Sequence, residues 1–259
     1  MDLKLKDKVI VVTGGARGIG ESIVRKLAEE DAIPCIIDVN EPLANQVCAS
    51  LIRINKKCFF AGADLTDAVQ CRQAIEKIIS RYQKIDGLVN NAGLNDGIGL
   101  EEGSYDRFIH SLKLNAVHYY LITELVQSFL KLSKGSIVNI CSKVAETGQG
   151  DTSGYAAANG MRLEMSTVEA REVIAAGVRV NAVVVAECAT PQYEWWLNTL
   201  TDPEGQLRKI NAKIPLYNRR TSPDEIAETT VFLLSEKSSG INGEFFHVDG
   251  GYVHLDRSI

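Results

Sequence analysis

The chain has 259 residues, is 45% hydrophobic, and carries 28 Lys and Arg against 33 Asp and Glu, a net charge of −5. That length suits one well-buried core in a single domain spanning residues 1–259. The acidic balance, with no long basic run, argues against a nucleic-acid partner. No apolar stretch reaches the ~18 residues of a membrane span, and residues 1–7 hold no apolar signal segment. Cys35, Cys48, Cys58, Cys71, Cys141 and Cys188 are scattered, without a C-x-x-C pair or metal-like spacing to the histidines. They read as buried thiols of a reducing cytoplasm, and no metal is expected.

Apolar strand-like runs are expected at 9–13, 33–38, 57–63, 87–90, 135–141, 178–184 and 244–248. Helical patterns fall between them at 19–29, 41–55, 68–82, 105–132, 153–175 and 223–234. This alternation predicts an α/β fold: a single-domain, Rossmann-like, doubly wound parallel sheet of about seven strands with helices on both faces. Residues 187–215 interrupt the pattern. Tyr193, Trp195 and Trp196 make this stretch too aromatic for a linker, so it reads as a lid over the strand ends.

The first strand runs into Thr13-Gly14-Gly15-Ala16-Arg17-Gly18-Ile19-Gly20 and then into a helix. Gly14 suits a turn needing φ > 0. Gly18 and Gly20 leave a pyrophosphate free to approach the helix N-terminus, whose N–H groups and dipole favour anions. The second strand ends at Asp38, where a carboxylate binds ribose hydroxyls and repels a 2′-phosphate, favouring NAD over NADP. Arg17 pulls the other way, because a guanidinium pairs with that phosphate.

The Gly-x-x-x-Gly-x-Gly spacing resembles the short-chain dehydrogenase/reductase family. So do Asn90-Asn91-Ala92-Gly93 after the fourth strand, Asn115, Ser142 and Tyr155. The resemblance implies a nicotinamide cofactor held by Gly14, Arg17, Gly18, Ile19, Gly20, Asp38, Asp64, Leu65, Asn91, Ala92, Gly93, Tyr155, Asn159 and Thr190. It implies that Tyr155 takes the hydroxyl proton, that Ser142 holds the substrate oxygen, and that Asn115 distorts its helix and holds a relay water. A phenol does this work once its pKa falls from ~10 toward neutrality.

Two departures stand out. The family writes Tyr-x-x-x-Lys, whereas here the run is Tyr155-Ala156-Ala157-Ala158-Asn159. A unit charge ~5 Å away at an effective dielectric of ~20 is worth roughly 3 kcal/mol, about two pKa units. Asn159 offers hydrogen bonds to ribose or water but not that charge. Lys143 is the nearest cation in sequence, and strand alternation points it away from the side Ser142 faces. Val185-Ala186 stands where the family usually has Pro-Gly, and Val185 brings an N–H that proline lacks.

Asn95, Asp96, Gln149 and Glu187 are polar residues at strand ends and suit a polyol, with Trp195 or Trp196 covering the apolar face of a sugar ring. Segments such as Asn95-Asp96-Gly97, Gly148-Gln149-Gly150, Ala186-Glu187 and the ending Val248-Asp249-Gly250-Gly251-Tyr252-x-His254-Leu255-Asp256-Arg257 resemble the family's L-fucose dehydrogenase branch. That resemblance implies oxidation of a sugar's anomeric hydroxyl to a lactone, with Asn95, Gln149, Glu187 and Trp195 as substrate contacts. It also implies a homotetramer paired through the long helices. Three readings stand: an NAD-linked sugar dehydrogenase weakened by Asn159, a dehydrogenase for another small polyol, and an NAD-binding protein with little turnover. On the first, activity rises toward alkaline pH, and a flat pH–rate profile from neutral to about pH 10, the reference tyrosine range, overturns it.

Overall fold

Val9 to Val12 are all buried, so the first strand reads as a continuous apolar run and not an alternating one. Such runs belong to parallel sheets covered on both faces. The computed structural model describes residues 2–255; Asp256 and Arg257 lie outside the described residues. Seven strands form one parallel sheet: β1 (Val9–Thr13), β2 (Ile33–Asp38), β3 (Phe59–Gly62), β4 (Gly87–Asn90), β5 (Ser136–Ser142), β6 (Arg179–Val185) and β7 (Phe245–Val248). Their order is β3-β2-β1-β4-β5-β6-β7. The order reverses between β1 and β4, which opens a crevice at the strand C-termini, where such sheets bind ligands.

Helices α1 (Gly18–Glu29), α2 (Glu41–Ile52) and α9 (Pro223–Leu234) cover one face, and α3 (Ala68–Tyr82), α5 (His118–Ser133) and α6 (Ser153–Val173) cover the other. Alternation along β1 sorts its side chains: Ile10 and Val12 join Ile23, Leu27 and Val231, whereas Val9 and Val11 join Ile78, Ile122 and Val173. The helix expected at 105–132 is broken. A π-helical turn, Lys113–Val117, separates α4 (Tyr105–Leu112) from α5 and holds Asn115 at its centre. The region read as a lid contains two short helices, α7 (Pro191–Leu197) and α8 (Pro203–Asn211). Each starts at an N-cap side chain, Thr190 or Asp202, followed by proline in the first turn.

A polar ladder crosses the core beside β4. Asn90 Nδ2 donates to Asn139 Oδ1 (2.9 Å) and Thr123 Oγ1 (3.2 Å). Asn139 Nδ2 donates to Ser166 Oγ (2.9 Å), which in turn donates to Arg162 O (2.7 Å). Next along α6, Glu169 is 7% exposed, and neither carboxylate oxygen has a hydrogen-bond partner among the described residues. Burial, with a smaller push from Glu172, raises its pKa from 4.5 to about 7 against the opposing effect of the Asn139 amide.

The sign follows from linkage. A carboxyl whose folded pKa lies above its unfolded value binds more protons in the folded state, so stability falls as pH rises from 4.5 to about 7 and levels off above. The upper limit of this cost is about 3 kcal/mol. Glu169→Gln removes it. Thermal melts at pH 5 and pH 8, bracketing that titration, are expected to show the variant gaining several degrees over the parent at the higher pH, with little difference at the lower.

Candidate active site

The glycine turn is tied to β4 before it meets any ligand. Thr13 Oγ1 accepts from the backbone N–H of Asn91 (2.9 Å) and Ala92 (3.2 Å), and Asn91 Nδ2 donates to the carbonyls of Thr13 (2.9 Å) and Gly14 (3.1 Å). Gly14 and Gly18 have φ of +65° and +59°, which a side chain would strain. Gly20 is also packed tightly within the protein. A Cβ there would lie 2.0 Å from the Gly14 carbonyl and 2.6 Å from Asn91 Nδ2. Its missing side chain therefore lets α1 seat on the turn, and Gly20 also lines the cleft.

A cleft of about 1110 Å³ runs along the strand ends. Gly14, Arg17, Gly18, Ile19 and Gly20 line it from the turn, and Asp38, Asp64 and Leu65 from the ends of β2 and β3. Asp38 Oδ2 accepts from Ala16 N–H (3.1 Å) and Oδ1 from Asn40 N–H (2.8 Å), which fixes the carboxylate at the turn. Asn40, not Asp38, caps α2. Asp64 Oδ1 is taken up locally by Thr66. Asn91, Ala92, Gly93 and Thr190 continue the lining toward Ser142 and Tyr155. Glycines at the mouth, the α1 N-terminus and a fixed carboxylate at the end of β2 make a cradle that fits a nicotinamide dinucleotide.

Ser142 ends β5 and Tyr155 sits in the first turn of α6. Asn95, Gln149, Glu187 and Trp195 line the same cleft. Asp96 does not: its Oδ1 accepts from Ser111 Oγ (3.0 Å) on α4. Asn159 is a correction as well. It is fully buried, outside the cleft lining, with Nδ2 donating to Tyr155 O (2.9 Å) and Oδ1 accepting from Arg162 Nη1 (3.1 Å). Both polar ends of the Asn159 side chain are thus taken up within the protein. Asn115 is buried too, its Oδ1 accepting from Leu94 N–H (2.7 Å). Its backbone carbonyl accepts from Arg162 Nε.

Lys143 reverses its expectation. β5 ends at Ser142 and the chain turns at once into a 3-10 turn, Lys143–Ala145, so strand alternation no longer sets its direction. Lys143 is 6% exposed, lines the cleft, pairs with Glu187 Oε1, and places Nζ 4.0 Å from the centre of the Tyr252 ring. Beside it, burial and the Glu187 carboxylate push the Tyr193 phenol well above its ordinary value. The Tyr193 hydroxyl is buried and has no partner among the described residues. His118 also lines the cleft. Its Nε2 donates to Leu114 O (3.0 Å), and burial, aided by the Arg162 charge, lowers its pKa to about 3, so it is neutral.

Outside the cleft, Glu146, His247 and His254 bring their ligand-type atoms within 4.8 Å of one another. Linear spacing concealed this cluster, and within it Glu146 pairs with His247 (2.8 Å).

The family model described as "Enoyl-(Acyl carrier protein) reductase" matches residues 14–253. The L-fucose dehydrogenase of Bos taurus is 33% identical over 99% of this chain and 94% of its own. The 3-oxoacyl-[acyl-carrier-protein] reductase FabG of Chlamydia pneumoniae is 31% identical over 98% of this chain and 100% of its own. The crystal structure of Cj0485 dehydrogenase superposes with a TM-score of 0.94 at 39% identity, covering 100% of this chain and 99% of that one. The chain belongs to the short-chain dehydrogenase/reductase family of NAD(P)-dependent oxidoreductases that act on CH–OH groups.

The packing around Gly20 makes its own prediction. Gly20→Ala forces α1 off the turn, with an overpacking cost of about 1–3 kcal/mol. Fluorescence titration with NADH is expected to show at least tenfold weaker binding, whereas Gly240→Ala, in open space and outside the cleft, leaves binding unchanged.

Proposed function

We propose that this protein is an NAD-linked dehydrogenase of a small sugar, L-fucose or a related aldose, oxidising the anomeric hydroxyl to a lactone. The observation that carries the reading is the set of polar side chains that line the same cleft as Ser142 and Tyr155. The Lys143–Glu187 pair, the unpartnered Tyr193 hydroxyl, Gln149 and Asn95 line one cleft. A wall of donors and acceptors favours a substrate with several hydroxyls, because an apolar chain would leave the Tyr193 hydroxyl without a partner and strip water from the Lys143–Glu187 pair without replacing it. The bovine relative acts on L-fucose by its name and the chlamydial one on an acyl chain. Near-equal identity to both leaves the choice to the cleft, and the cleft favours the sugar.

In this reading Tyr155 accepts the hydroxyl proton at its phenolic oxygen, and Ser142 Oγ donates to the substrate oxygen and holds it beside that oxygen. The bound nicotinamide supplies a hydride acceptor. Glu187 accepts from ring hydroxyls, while Lys143 and Tyr193 donate to them. Trp195, 70% exposed on α7, closes over the sugar as part of a lid at 187–215. The Asp38 carboxylate, held by two backbone N–H groups, receives the ribose hydroxyls and disfavours a 2′-phosphate.

Val117 and Tyr120 near the start of α5, with Met161 and Val168 on α6, are exposed apolar residues. They fit pairing of two copies through these helices within a homotetramer. Six free cysteines fit a cytoplasmic enzyme. No helix among the described residues is long and apolar enough to cross a membrane.

Nicotinamide reduction is measured with L-fucose, other aldoses, small polyols and an acyl alcohol. Turnover is expected with the sugars, and Tyr155→Phe lowers it at least a hundredfold, in the range of general-base removal. Glu187→Gln raises KM for the sugar about tenfold or more, the scale of one lost charged hydrogen bond. Asp38→Ala erodes the preference for NAD over NADP about tenfold. Tight NADH binding without turnover of any sugar overturns the assignment and leaves a nucleotide-binding protein.

A further inference from the structure

We propose that Arg162 replaces the missing lysine: its buried guanidinium is the positive charge that favours the ionised hydroxyl of Tyr155. The inference rests on Tyr155 being the base and goes further by naming the residue that equips it. α6 carries Tyr155, Asn159 and Arg162 at spacings of four and three residues, which places all three on one helix face. The charge has moved one turn along the helix and reaches back.

Among the described residues, the guanidinium is held by neutral oxygens alone. Nε donates to Asn115 O, Nη1 to Ile140 O (3.1 Å) and Asn159 Oδ1 (3.1 Å), and Nη2 reaches Ala92 O (3.5 Å). Arg162 is 2% exposed, and no carboxylate pairs with it among the described residues. Burying a cation against dipoles carries a desolvation cost that a facing anion offsets. The Cζ atom lies 4.3 Å from the Tyr119 ring centre and 5.9 Å from that of Tyr155.

Among the described residues, none of the other titratable groups around it forms an ion pair with it. On α5, His118 is neutral at a pKa of about 3, and burial pushes the Tyr119 phenol up. On β5, burial holds the Cys141 thiol at about 12. Glu169, two turns further along α6, has both oxygens unpartnered and is not the counter-ion. Lys143 and Glu187 neutralise each other at the ends of β5 and β6. Tyr155, its ring centre 5.9 Å from Cζ, is the ionisable group of the proposed reaction that lies beside this charge.

Two neighbours are shaped to this arrangement. A Cβ on Gly93 would lie 2.5 Å from Arg162 Nη2, so glycine makes room for the guanidinium. Asn159 bridges the Tyr155 carbonyl and Nη1, and a lysine there would set ammonium against guanidinium. Asn159 and Arg162 are therefore one coupled exchange. Asn159→Lys alone, which the family pattern presents as a repair, is instead damaging.

The test compares the parent with Arg162→Met, Arg162→Lys, Asn159→Lys and the double variant Asn159→Lys/Arg162→Met. Two curves are recorded for each: kcat against pH with the best sugar, and ionisation of Tyr155 in the tyrosinate ultraviolet band, isolated by subtracting the matching Tyr155→Phe protein. Arg162→Met is expected to move both curves upward by about one to two pH units, the scale of one charge at this range. The alkaline optimum expected from Asn159 alone belongs to that variant. Arg162→Lys shifts them less, Asn159→Lys lowers kcat at neutral pH about tenfold or more, and the double variant recovers part of the loss. NADH binding, followed by fluorescence, stays within a few-fold.

A folded Arg162→Met protein with both curves unmoved overturns the proposal, as does an Asn159→Lys protein more active than the parent at neutral pH. If Arg162→Met does not fold, the upward shift in Arg162→Lys and its reversal in the double variant carry the same decision. A parent that turns over no hydroxy compound removes the proposed function, and the ultraviolet titration still decides the role of Arg162.

Discussion

A guanidinium with no carboxylate partner among the described residues sits where four pieces of chain meet. Arg162 on α6 reaches the carbonyls of Ala92 after β4, Asn115 in the π-helical turn and Ile140 in β5, and the amide of Asn159 on its own helix. Each hydrogen bond to a charged group is worth about 1.5–3 kcal/mol, against the several kcal/mol that burying the ion costs. The net gain in stability is modest, and the gain in geometry is large. The same contacts tie the end of β4, the broken helix and α6 to one another below the cleft, beside the separate tie of Asn91 and Ala92 to Thr13. The ladder from Asn90 through Asn139 and Ser166 continues this tie through the core to Arg162's own backbone.

The sheet explains why chemistry gathers above that floor. In a parallel sheet every strand ends on the same edge, and the reversal between β1 and β4 leaves a gap there that no crossover helix fills. Asp38, Asn91, Ser142 and Glu187 are far apart in sequence, yet each follows or ends a strand and so faces the same crevice. The crevice is graded along its length. Backbone N–H groups and glycines lie at one end, and the Lys143–Glu187 pair, Tyr193 and the tryptophans at the other. A polar ligand with an anionic middle and a hydroxylated end matches that gradient.

Much of this was legible along the chain. All seven strands begin and end within two residues of where the apolar runs place them, because strands buried on both faces are recorded as unbroken apolar runs. The glycine turn, Asp38, Ser142 and Tyr155 were readable for a related reason: a tight turn and a strand end constrain residue type locally. The helices α7 and α8 were signalled by Thr190-Pro191 and Asp202-Pro203 at their starts, but aromatic content obscured the cap pattern. The close packing of Gly20 against the Gly14 carbonyl was not readable, since a glycine spared for close packing and one spared for a ligand look alike in a string of letters.

By itself the sequence determined the fold, the family and the absence of a lysine at position 159, because each depends on residue type at a fixed spacing along one chain. It could also place Arg162 on the same helix face as Tyr155. Only the tertiary structure decided what that arginine meets, that Lys143 turns into the cleft, and that Asn159 turns away from it. Those outcomes depend on which carbonyls and carboxylates other elements bring near. A buried charge is placed by the sum of partners around it, and its partners come from segments that the sequence keeps tens of residues apart.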